Sequence, residues 1–129
     1  MKQITINGKS FDIDCNAFTR FQYKTIFGRG IFADIKILSD FSEKQENLRK
    51  KMETEKISEE EQEKQINLAL MENLDDFIDV IERIAYILIY TANDKIGDFN
   101  TWLKGIEKID LSAEWIGEVT ELAVNSFCW

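Results

Sequence analysis

Apolar side chains stand at 77, 78, 80, 81, 84, 85, 87, 88 and 89 in a chain that contains no proline. At 3.6 residues per turn these positions nearly encircle a helix instead of forming one stripe. A helix that is apolar almost all round must be wrapped by other elements, so it belongs in the middle of a bundle. Helix is favoured from about Glu59 to Asn93, with a break expected near Asn73. The rest of the chain has to supply the surface that covers it.

The second constraint is local. Ile4, Ile6, Phe11 and Ile13 flank Asn7-Gly8. Asn-Gly is the strongest two-residue hairpin turn because both positions tolerate positive φ. A two-residue turn pairs Ile6 with Lys9 and Ile4 with Phe11. That register places Ile4, Ile6, Phe11 and Ile13 on one face and Thr5, Ser10 and Asp12 on the other. A lone hairpin is marginal in water, so the apolar face is expected to dock on helices.

Asn16 can cap a helix running to about Phe27, with Phe18, Phe21, Tyr23 and Ile26 as its main apolar surface. Gly28 is a natural helix stop. Ile31 to Leu38 reads as a short helix or an extended apolar segment, and periodicity leaves both open. Residues 43–64 are rich in Glu, Lys and Gln, good helix formers, so a solvated helix is expected there, part of it mobile. Gln45 to Lys64 has too few apolar residues to anchor a core. Ser58 followed by Glu61 forms a capping box and marks a fresh helix start. Trp102, Leu103, Ile106 and Ile109 suggest a short helix. Ser112 is placed to cap a last one, with Trp115, Ile116, Val119, Leu122, Ala123 and Phe127 as its stripe. The expectation is one mostly α domain over 1–129, a helical bundle with a short N-terminal β-hairpin. It divides into the hairpin (1–14), a helix and turn (15–42), the charged helix (43–64) and the helical core (65–129).

A chain of 129 residues is long enough to bury a core without disulfides or metals. Its net charge is −8, and the imbalance is concentrated: residues 1–42 carry +2, 43–64 carry −2 and 65–129 carry −8. Such a surface repels polyanions, which argues against nucleic acid and anionic membranes as partners. Cys15 and Cys128 belong to no Cys-x-x-Cys pair, and two lone thiols suit a reducing compartment, although a disulfide joining them is open in principle. No signal-peptide pattern is found, and the longest uncharged apolar run, Ile84 to Asn93, is about half of what a bilayer needs. A cytoplasmic protein is expected.

Motifs that could carry chemistry mostly resolve into bland readings. Gly28-Arg29-Gly30-Ile31-Phe32-Ala33 fits G-x-G-x-x-A, but a dinucleotide site needs a strand before it and parallel strands around it. A helix-breaking turn is the simpler reading. Asp12, Asp14 and Asn16 imitate the first ligands of a calcium loop, yet the sixth and twelfth positions are Ala17 and Tyr23 in place of Gly and Glu. Glu72, Asp75, Asp76, Asp79 and Glu82 recur at helical spacing. With no His in the chain to join them as a ligand, they read as a solvated helix face. The same lack leaves Cys15 and Cys128 without a base, so no catalytic residue, metal ligand or cofactor site is expected. Trp115 reads as core. For partner contact the sequence nominates Phe127 and Trp129: Phe127 continues the apolar stripe, while Trp129 suits a contact with another chain.

The order of features resembles the tail assembly chaperones of siphophages and prophages of Gram-positive bacteria. A short hairpin around Ile6-Asn7-Gly8-Lys9-Ser10-Phe11 is followed by an aromatic-rich helix from Asn16 to Gly28. A charged middle, the helix Phe77 to Asn93 and the ending Ile109-Asp110-Leu111 through Trp115-Ile116 to Phe127 come after it. The resemblance implies a mostly helical protein without enzymatic activity. Its partners would be the tape measure protein, which it keeps soluble, and the tail tube protein, whose subunits it helps recruit; self-association is a further expectation. This chain would be the short product of a gene that can also yield a longer frameshifted one. A second reading is a small acidic phage or prophage regulator that binds and inhibits a host protein.

Overall fold

The hairpin forms as its turn dictates. Asn7 and Gly8 adopt φ of 51° and 83°, both left-handed, and Ile4 pairs with Phe11 and Ile6 with Lys9. β1 (Lys2–Ile6) and β2 (Lys9–Ile13) are antiparallel. Ile4, Ile6 and Ile13 are buried, and Phe11 is half-buried on the same face. The computed structural model describes residues 2–110 and 113–127, the side chains at 66, 67, 69, 70, 72, 73 and 127 excepted. Over these residues the hairpin is followed by α1 (Ala17–Phe27), α2 (Ile31–Thr54), α3 (Glu59–Ala92), α4 (Phe99–Lys104) and α5 (Glu114–Phe127). The fold is mostly α with a short N-terminal hairpin. None of the described helices is long and apolar enough to cross a membrane.

α3 is the axis. Its 34 residues make a helix about 50 Å long, without the break expected near Asn73. Phe77, Val80, Ile81, Ile84, Ala85, Ile87, Leu88 and Ile89 are all buried, and β2, α1, α2, α4 and α5 all pack on it. An apolar circumference thus becomes a central position. Each fully buried Ile of this helix contributes about 2 kcal/mol relative to exposure.

Helix ends follow local chemistry. Asn16 caps α1 through its side chain, and Thr19 returns the bond to the Asn16 backbone, a complete capping box. Gly28, at φ 70°, ends α1 by donating its N–H to the carbonyl of Lys24. Ser58 accepts from the N–H of Glu61 and opens α3. Asp98 caps α4 through Thr101, which holds its carboxyl below the usual range. α4 stops at Lys104, so Ile106 and Ile109 lie beyond the helix expected to carry them. Ser112 lies outside the described residues.

One reading left open is settled, and two expectations change. Ile31 to Leu38 is helical, and the helix does not stop where the charge begins: α2 continues to Thr54. The charged segment is therefore the outer half of α2, a turn, and the start of α3, which together make an outer helical hairpin. That hairpin also has a small core. Met52 is buried against Phe41, Leu48 and Ile57. The turn is a Schellman motif: Ile57 donates its N–H to the Met52 carbonyl and Lys56 to that of Glu53. Ile57 packing on Met52 supplies the hydrophobic contact that accompanies such turns. The left-handed position, usually Gly, is Lys56 at φ 58°.

Candidate functional site

Three helices leave a trough between them. α5 sends Trp115, Val119 and Ala123 into the main core, where all three are buried. Its adjacent face, Ile116, Gly117, Thr120 and Val124, turns toward the outer half of α2 and the first half of α3. From α2 come Phe41, Ser42, Gln45 and Arg49, spaced along one stripe; from α3 come Met71, Leu74 and Phe77. The groove encloses about 1040 Å³. Phe41 and Phe77 stack at its floor, ring centroids 4.3 Å apart. The Thr120 hydroxyl donates to the Ile116 carbonyl, so it asks for no further partner. The charged residues of the lining are Glu63, Asp110 and Glu121 against Arg49. The arrangement can bind an apolar surface and select for charge around it.

A second cluster lies at the N-terminal end of α2. Asp34 is fully buried in the first turn of α2, where a carboxylate complements the helix dipole. Tyr23 donates its hydroxyl to Asp34 Oδ2. Arg29 Nη2 lies 2.6 Å from Oδ1, and Arg83 Nη2 lies 3.3 Å from Oδ2. Arg83 Nε also reaches the Tyr23 oxygen at 3.2 Å. Burial and the bond to Asp34 push the Tyr23 hydroxyl well above its ordinary value. Both carboxylate oxygens are engaged, so this is a clasp that ties the α1–α2 turn to α3. Sequence reasoning missed it: Asp34 pairs with residues 5, 11 and 49 positions away, and no local pattern marks them.

The sequence-nominated residues are placed as follows. The side chain of Phe127 and the whole of Trp129 lie outside the described residues. So does Cys128, so the end-to-end disulfide concerns a residue not described. Cys15 is a free thiol whose pKa burial raises. Asp75, Asp76 and Asp79 are exposed, as a solvated face requires, and Glu82 is half-buried. The side chain of Glu72 is not described. Gly28 and Gly30 form the turn between α1 and α2, with no parallel strand among the described residues. Asp12 sits in β2 accepting from Gln3, and Asp14 accepts from the backbone of Cys15. No cluster of three metal-binding side chains occurs among the described residues.

α1 corrects another expectation. Of Phe18, Phe21, Tyr23 and Ile26, only Tyr23 is buried; Phe18, Phe21 and Ile26 are 46%, 63% and 38% exposed. Thr19 joins Tyr23 inside because its hydroxyl meets that of Thr91, 2.8 Å away on α3. The inward side of α1 thus combines the Thr19–Thr91 contact with Tyr23 and Phe27, which pack on each other and, through Phe27, on Tyr86 and Phe99, while Phe18 and Phe21 look outward. Compared with models of known families, with curated proteins and with solved structures, the chain finds no match.

Proposed function

We propose that this chain is a tail assembly chaperone, acting in the bacterial host cytoplasm to bind the phage tape measure protein and to help recruit tail tube subunits. The reading rests on the resemblance in the order of sequence features. The observation that supports it is the groove between α2, α3 and α5, an apolar trough of about 1040 Å³ with acidic residues around it. A holder of long helical proteins needs such a surface, and an amphipathic helix in an apolar groove is a recurrent mode of recognition. The exposed Phe18 and Phe21 of α1 offer further contact area, and the sequence nominates Phe127 and Trp129 as contacts.

The test is co-expression with the tape measure protein of the same phage or prophage. A tagged chain should recover the tape measure protein in soluble form and increase its soluble yield. Recovery of a host enzyme instead, with the tape measure protein left insoluble, would overturn the reading in favour of an inhibitor.

A further inference from the structure

The middle of α5 holds a glycine that the fold itself does not explain. Gly117 has no positive φ, and a Cβ added there would meet no atom of the described residues within 4 Å. Glycine inside a helix is destabilising relative to alanine, because the chain loses more freedom on folding. Neither usual structural reason, a left-handed backbone or a close neighbour, is found among the described residues. Gly117 lies in the groove, between Ile116 and Thr120 of the same face. A bare backbone at that point lets a second helix come closer than any side chain would allow.

We infer that the groove seats one amphipathic helix of the partner, an apolar stripe flanked by Lys or Arg, with its backbone nearest the chain at Gly117. The inference deepens the proposed function and rests on it for the identity of the partner. Three observations fix the occupant's chemistry. The α5 wall runs from Ala113 to Asn125, about 18 Å, the length of roughly 12 helical residues. The floor is apolar, with Leu74, Phe77, Ile116 and Val124 in its lining, as the apolar stripe of a bound helix requires. The rim is acidic, with Glu63, Asp110 and Glu121 against Arg49, so basic flanks are attracted and acidic ones repelled. A second copy carries the same net charge of −8 and the same acidic rim, which opposes an isologous contact here.

The test uses two labelled synthetic helices with the same leucine stripe, one flanked by lysines and the other by glutamates. In fluorescence anisotropy the full chain should bind the lysine helix about ten-fold tighter than its twin, with the gap shrinking as salt is added. Gly117→Ala should weaken the lysine helix while raising the melting temperature, and Gly117→Leu should abolish binding. Thr120→Arg should block the groove by size and charge, and carries the test if Gly117→Leu does not fold. Equal binding of the two helices, no binding of either, or unchanged binding to both Gly117→Leu and Thr120→Arg would overturn the inference. So would self-association of the chain alone that Gly117→Leu removes, since the occupant would then be a second copy. Co-expression separates the two levels. If the tape measure protein is recovered equally by these variants, the groove is not its seat and the chaperone reading stands. If the lysine helix binds as described but the tape measure protein is not recovered, the groove assignment stands and the chaperone reading fails.

Discussion

The inner and outer halves of the α2–α3 pair are built on different principles. Inside, Ile31, Ile35 and Leu38 of α2 face Phe77, Val80, Ile81 and Ile84 of α3, and all are buried in the main core. Outside, no described residue from 42 to 76 joins that core, and one buried residue, Met52, anchors a small cluster of its own. The inner half is stabilised by apolar area removed from water. The outer half relies on helix propensity, the Ser58 cap, the Schellman turn at Lys56 and the few contacts around Met52. A helix pair of that kind keeps its secondary structure while opening locally at low cost. The groove lies where the two regimes meet, so one of its walls is part of the main core and the other is held by few buried contacts.

The comparison can be broken first at the clasp. Asp34→Ala leaves two guanidinium groups and a buried tyrosine without their acceptor, and should cost about 3–5 kcal/mol in urea denaturation. A loss under 1 kcal/mol would mean that water or other acceptors satisfy them. Next is the core. Ile84→Ala, at a fully buried position, should cost about 2–5 kcal/mol and lower the unfolding midpoint of the whole chain. Met52→Ala should act differently: hydrogen exchange should speed up in residues 42–64, while protection at 80–89 falls far less. Equal loss of protection in both regions would show that the outer hairpin unfolds only with the core.

Smaller effects sharpen the same contrast. Lys56 holds a left-handed conformation that costs a non-glycine residue about 1 kcal/mol. Lys56→Gly should therefore stabilise the outer hairpin by about 0.5 kcal/mol, seen as slower exchange confined to the turn and its flanks. Glu82 supplies the mildest test. Burial, then the charge of Asp79, raises its pKa despite Arg83. The folded chain thus keeps this proton to higher pH than the unfolded chain, so the contribution of Glu82 to stability falls as pH rises from about 4. Glu82→Gln should remove that decline: the variant gains on the wild type through this window and holds a constant lead above it, read from melting temperatures across pH.

What could be read in advance was chemistry that closes within a few residues. The Asn7-Gly8 turn sets strand register because two positive φ angles fit only one pairing. Asn16, Gly28 and Ser58 bound their helices because each satisfies backbone groups three or four residues away. The apolar circumference of 77–89 placed α3 at the centre because burial is the sole favourable outcome for such a surface. The Lys56 turn escaped notice because its identity lies in backbone bonds, and lysine is an unusual residue for the left-handed position.

The tertiary structure decided everything that depends on how helices lie against one another. Propensity and charge could not say that α2 runs unbroken across the start of the charged segment, since the Ile- and Phe-rich stretch before residue 42 suits an extended segment as well as a helix. Which face of α1 is buried was settled by Thr91 and Arg83, which reach Thr19 and Tyr23 from α3. Asp34 looks like any surface carboxylate until folding brings Arg29 and Arg83 to its two oxygens. The groove has the same origin: its lining is drawn from three helices far apart in the chain, and the space between them exists only once α5 has docked on α3. Local bonds are legible in sequence because their partners are fixed by covalent proximity, whereas these contacts acquire partners only when the whole chain has packed.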